Sequence, residues 1–226
     1  MALAGLAVFA LFLVSDAAVG PSNSSESSFC TETKECLFFD LICKTPNYEV
    51  RHYDATKWVS TDVQAYFLET AAGKGFMRLY KYITGANEDG VKIDMTAPVI
   101  IRIPEDKKLL EPAVYTINFL LPSAYQEKAP KPTNEEVYFT DMPEMTVYVK
   151  SYGGWMLSMT SKLYSRLLAK ELNNTQASYH NVFHYGVGYQ SPMKLLNRRN
   201  EVWYISKGEL VCATQEETPS DATVSA

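Results

Sequence analysis

Four cysteines constrain this 226-residue chain more than any other feature, three crowded at Cys30, Cys36 and Cys43 and the fourth alone at Cys212. If all four are oxidised, one early cysteine must pair with Cys212. Three connectivities remain open, and each contains one bridge that ties the start of the chain to the end of its last strand. Closing a loop of about 170 residues contributes roughly 3 to 5 kcal/mol in the chain-entropy account. No Cys-x-x-Cys spacing is present, which makes a metal cluster the weaker reading.

Paired cysteines belong to an oxidising compartment, and two other features agree. Met1 to Val14 is an apolar run shorter than the roughly 20 residues of a membrane span, and small residues follow it from Ser15 to Gly20. Residues 1–17 read as a signal peptide. Asn-x-Ser/Thr sequons stand at Asn23 and Asn173, so a secreted, extracellular glycoprotein is expected. Residues 18–45 read as a flexible arm carrying three cysteines, 46–211 as the folded domain, and 212–226 as a disordered acidic tail. With 26 Asp plus Glu against 21 Lys plus Arg the net charge is −5, which supplies no electrostatic footprint for nucleic acid or an anionic membrane. No second apolar run reaches membrane length.

Within the domain, Tyr48 to Val63 alternates β-branched and aromatic residues, and Ala65 to Thr84 has helical spacing that stops at Gly85. Strands are predicted at Val99–Ile103, Val114–Leu121, Val137–Thr140, Met145–Tyr152, Tyr179–Tyr189 and Glu201–Lys207. A second helix starts near Ser158, with Met159, Leu163, Leu167 and Leu168 on one stripe, and ends around Asn173–Asn174. Runs of strands with two helices set aside indicate an α+β fold. The order strand, helix, strands occurs twice, which suggests an internal duplication. Thr96–Val99 against Gln190–Met193, and Tyr48–Arg51 against Val147–Lys150, are faint likenesses between the halves.

No enzyme constellation is visible: Gly-x-Ser-x-Gly, His-Glu-x-x-His, phosphate-loop and dinucleotide fingerprints are all missing, and a non-catalytic protein is expected. Gly73-Lys74-Gly75 and Gly186-Val187-Gly188 read as packing or bulge positions. His180 and His184 fall in a strand, where four residues separate two rings by about 13 Å, too far for one ion. His52 shares a face with Tyr48 and Val50. It is either a half-buried histidine with one hydrogen bond or an axial ligand to heme iron. Lys74, Arg78 and Lys81 form a basic stripe on the first helix. That stripe is either a solvated face or a holder of heme propionates, with Phe76 and Met77 beside it for ring contact.

The segments Tyr48–Tyr53, Ala55–Val59, Lys92–Val99, Glu144–Val149 and Gly188–Trp203 resemble the SOUL/heme-binding protein family, with the SOUL branch the nearer likeness. The resemblance spans about residues 46 to 208. It implies a distorted antiparallel β-barrel of two four-stranded sheets flanked by two helices, built by duplication. It also implies binding of heme or another porphyrin in a hydrophobic cleft without catalysis, with His52 matching the histidine proposed as axial ligand. The expected role is a secreted heme carrier, scavenger or buffer, with oligomerisation on binding left open. The alternative is a secreted interaction module that keeps the barrel and no longer binds heme.

Overall fold

The alternation after Tyr48 produces two strands, β4 (Glu49–Tyr53) and β5 (Thr56–Ala65), with only Asp54 and Ala55 between them. Opposite them run β8 (Tyr138–Met142) and β9 (Met145–Gly153), separated by Pro143 and Glu144. Tyr53 lies across from Met145 and Thr56 across from Met142, so one antiparallel register continues through both junctions. Pro143 has no N–H to contribute, and the ladder is interrupted where the two strands bend together. The computed structural model describes residues 18–22, 29–106 and 111–212. The expected signal peptide, the Asn23 sequon and the tail beyond Cys212 lie outside them.

With β6 (Val99–Pro104), β7 (Ala113–Leu120), β10 (Phe183–Gly188), β11 (Arg199–Ile205) and an edge strand β3 (Asp40–Lys44), the ribbon builds a nine-stranded antiparallel sheet. Its order is β3-β4-β9-β11-β10-β6-β7-β5-β8. The expected closed barrel of two sheets is corrected accordingly. β10 pairs directly with β6, giving one sheet, and among the described residues hydrogen bonding ends at β3 and β8 without forming a ring. The bent ribbon explains this, because it links the two ends of the order through the covalent chain instead of through a ladder.

Leaving β3 aside, the order reads the same from either end when β4–β7 is exchanged with β8–β11. The two short likenesses do not obey that exchange. Tyr48–Arg51 and Val147–Lys150 fall on strands that pair with each other, whereas Thr96–Val99 leads into β6 and Gln190–Met193 follows β10.

Each half-sheet carries one helix on its outer face. α1 (Leu68–Ile83) packs on β5 and β7, and α2 (Ser158–Asn174) packs on β9 and β11. α1 buries Leu68, Ala71, Gly75, Leu79, Tyr82 and Ile83. A Cβ at Gly75 would stand 2.6 Å from Ile117 Cδ1, so the helix sits this close only with glycine there. The chain leaves the helix at Gly85 with φ +123, the cap expected from sequence. In α2 the expected stripe is overturned: the buried residues are Ser161, Ser165, Leu168 and Leu172, while Met159, Leu163 and Leu167 face solvent. Two small serines let this helix approach the sheet, and the apolar residues on its far side misled the periodicity.

The stretch read as a flexible arm carries β1 (Val19–Pro21), β2 (Glu35–Leu37) and β3. Both disulfides anchor it: Cys30 to Cys36, and Cys43 to Cys212 across 169 residues. Val19, Cys30, Cys36 and Leu37 are buried in the same core as Trp58, Val149 and Trp203, between the two half-sheets.

Candidate functional site

The interior between the half-sheets is filled. Trp58 and Trp203 are fully buried there, and Tyr53 stacks on Trp203 at 4.6 Å. A buried ion pair completes it: Arg51 and Glu201 meet at 3.1 Å with side chains 1% and 0% exposed. Tyr189 and Trp203 each donate to Glu201 at 2.8 Å, and Arg199 joins at 2.8 Å. Burial pushes the Glu201 carboxyl up, but the Arg51 and Arg199 guanidiniums prevail and hold it below the usual carboxylate range. From the N-terminal segment, Phe39 lies 4.2 Å from the Arg51 guanidinium and Phe29 lies 4.6 Å from that of Arg199. A ligand entering this space would strand charges, which costs several kcal/mol.

A second polar cluster ties α2 to β10. Ser161 Oγ lies 2.9 Å from His184 Nε2, and His184 Nδ1 lies 2.6 Å from Glu105 Oε1, which also accepts from the Tyr204 hydroxyl. Burial raises the Glu105 carboxyl, but the hydrogen bond and charge of His184 prevail and bring it below the usual range. The order Ser, His, Glu is that of a hydrolytic triad. Ser161 is only 2% exposed, however, and the cluster works as a clamp between helix and sheet. His180 lies outside β10, on a different segment from His184, with its amide bonded to Ile205.

Outside the sheet, the two helices meet along a seam, where the Ser158 hydroxyl of α2 donates to Glu69 of α1 at 2.7 Å. Along the β6–β10 ladder, Val99 faces Gly188 and Ile101 faces Gly186. Met156 fills the strip that the glycines leave open: a Cβ at Gly186 would stand 3.0 Å from its Sδ, and one at Gly188 3.3 Å from its Cε. This confirms both as packing glycines. Phe76 and Tyr80 of α1 stack at 5.9 Å, and Phe76 meets Phe119 of β7 edge-on at 5.1 Å. Around the seam, Trp155 and Leu157 are exposed before α2, and Met193, Leu195 and Leu196 stand 72% to 88% exposed on the β10–β11 loop. Arg198 lies over the Trp155 ring at 4.4 Å, and Lys194 pairs with Glu32 at 3.0 Å. Both cations at this rim are already engaged, Lys194 by Glu32 and Arg198 by the Ser191, Lys194 and Gln190 carbonyls.

The residues expected from sequence divide between places. Each helical residue turns about 100°. Phe76 therefore points toward β7 and the seam with Met77 beyond it, and Arg78 points the other way. Arg78 pairs with Glu136 at 2.7 Å and donates to the Asp62 carbonyl at 3.0 Å. Lys74 and Lys81 are exposed on its flank. His52 sits on the other half-sheet, between β3 and β9, and the structure does not gather it into one cleft with α1. Its Nδ1 is 3.2 Å from Thr146 Oγ1, its Nε2 is 3.6 Å from Asp54 Oδ1, and Asp40 lies directly across the ladder. Met193, Leu195 and Leu196 were missed by residue-level reading. Their signal was three large apolar residues in a turn segment after Pro192, without strand alternation.

An open depression of about 580 Å3 lies at the far end of α2. Its lining of Asn173, Ser178, Tyr179, Asn181 and Lys207, with one alanine, offers no apolar wall. Among the described residues no three His, Cys, Asp or Glu side chains converge to hold a metal ion.

Known proteins agree with this architecture. The C-terminal domain of EcmrR shares the fold, with a TM-score of 0.53 and 10% identity over 71% of this chain and 98% of that domain. Human heme-binding protein 2 is 39% identical over 72% of this chain and 80% of its own length. Heme-binding protein 1 of Xenopus laevis is 35% identical over 70% of this chain and 83% of its own. The profile of the SOUL heme-binding proteins matches residues 34–205, nearly all of the described domain, and the chain belongs to that family.

Proposed function

We propose that this protein binds heme, or a closely related tetrapyrrole, in the seam between its helices and carries or buffers it outside the cell without catalysis. The observation that carries the reading is the apolar loop of Met193, Leu195 and Leu196, uncovered after β10, in a chain whose relatives are named heme-binding proteins. Burying about 400 Å2 of porphyrin surface is worth roughly 10 kcal/mol gross, enough for micromolar affinity after association costs. Lys194 and Arg198 would hold the propionates in exchange for their present partners, Glu32 and the loop carbonyls. Heme supplies a redox-active iron when bound; the chain's own part is to shelter the ring and orient its carboxylates.

A second site for iron is favoured by one observation. Thr146 engages His52 Nδ1 and so fixes the ring, as an outer hydrogen bond does for a metal-ligating histidine. Nε2 would then be the ligating atom, in competition with Asp54.

Secretion is part of the same proposal, supported by the apolar leader and two disulfides, with Asn173, exposed at the end of α2, as a glycan acceptor. The strand order that reads alike from both ends supports an origin by duplication.

Hemin titration of the mature protein tests the proposal. A saturable Soret shift at micromolar protein is expected, with Leu195→Ser plus Leu196→Ser weakening binding at least about tenfold. His52→Ala should alter the absorption bands with little loss of affinity if its ring ligates iron. An unchanged spectrum removes His52 from the site. No saturable shift at all would leave the interaction-module reading, and light scattering with and without hemin reads the oligomeric state.

A further inference from the structure

α2 is turned inside out. Serines face the sheet, while Met159, Leu163 and Leu167 form an exposed row at a spacing of four. Lys162, Arg166 and Lys170 form a second exposed row at the same spacing. The helix's one acid, Glu171, sits at the edge of this face and accepts from Asn47 at 3.2 Å. A chain of net charge −5 therefore presents a helix face with three cations and three large apolar side chains, with carboxylates only at its margins, Glu171 at the far end of the apolar row and Glu105 beside Lys162. Trp155 and Leu157 continue the apolar row beyond the first turn, and Arg198 over Trp155 joins it to the β10–β11 loop.

We propose that this face docks on an anionic lipid surface, with α2 lying in the plane of the headgroups. The pattern is that of an interfacial helix: apolar side chains reach the acyl boundary while lysine and arginine meet the phosphates. The helix lies on the surface and does not cross, since among the described residues no helix is long and apolar enough to span a membrane. A second copy of the chain is the poorer occupant, because a two-fold contact would set the lysine and arginine rows of both copies against each other. Asn173 lies about 21 Å along the axis from Met159, so a glycan there would leave the first turns of the helix free to dock. The docking itself does not depend on heme.

Co-sedimentation of the full mature chain tests it, using vesicles of phosphatidylcholine with about one-third phosphatidylserine against phosphatidylcholine alone. Binding at least about tenfold stronger to the anionic vesicles is expected, abolished by Lys162→Glu, Arg166→Glu and Lys170→Glu together. Met159→Ser with Leu163→Ser should weaken it as well, and both variants should keep the wild-type hemin titration, since none of these residues lines the seam. Equal binding to both vesicle types, or undiminished binding of the charge-reversed chain, overturns the proposal. So does binding to neither, which would leave an acidic protein as the partner, or a dimer that the Met159→Ser, Leu163→Ser chain loses. Failure of wild-type hemin binding would count against the heme reading alone.

Discussion

The two helices occupy equivalent places on their half-sheets and are held there by different forces. α1 buries Leu68, Leu79, Tyr82 and Ile83 and rests a glycine against Ile117, so apolar contact fixes it. α2 offers two leucines, two serines and Tyr164 stacked on Tyr152 at 4.2 Å, and the hydrogen-bonded chain Ser161–His184–Glu105–Tyr204 adds directed bonds to that smaller contact. A helix fastened by directed hydrogen bonds at a few points needs less of its surface for the core. That frees its apolar residues for the outside.

The sharpest way to break this comparison is a pair of matched truncations. Leu79→Ala in α1 should cost about 2 to 5 kcal/mol of stability, as buried leucines do, whereas Leu163→Ala in α2 should stay within about 0.5 kcal/mol. Urea unfolding of both would measure it, and equal losses would mean that α2 also relies on its apolar row. Next in size is the clamp. His184→Ala leaves Ser161 and Glu105 without their partner and should cost about 1 to 3 kcal/mol, with faster amide exchange in α2 and little change in α1.

The smallest effect expected is that of acid. Folded Glu105 titrates below its unfolded value of 4.5, so its contribution is complete above that pH and disappears as the pH falls through the lower folded value. Hydrogen exchange on acidification should therefore loosen α2 ahead of α1, and Glu105→Gln should reduce the difference. Uniform loosening of both helices would show that the clamp has no electrostatic share.

The difference between the helices also marks how far the sequence could be read. The strands from β4 onward followed in outline from local alternation, whereas β1, β2 and β3 lie in the stretch read as a flexible arm; the limits of α2 followed from its spacing and the Asn173–Asn174 pair. Its orientation did not, because apolar residues lie on both sides and the partners that hold one side inward, His184 on β10 and Tyr152 on β9, are distant or not marked by spacing. The basic stripe of α1 has the spacing expected, but Glu136, which occupies Arg78, is 58 residues away in the chain. For His52, strand and face were legible. Asp54 could be seen two residues on, but Asp40 arrives only through the pairing of β3 with β4. The single sheet was hidden for the same reason, since β6 and β10 meet across some 80 residues of chain. Cysteine spacing required a long bridge and left its partner open, which the placement of β3 beside the chain end resolves.

The Arg51–Glu201 pair has a consequence for how this protein can change over time. With ions and tryptophans occupying the centre, the room for variation lies in the coat of helices and loops. Substitutions there can retune what is held, or where the molecule settles, while the scaffold beneath keeps its shape.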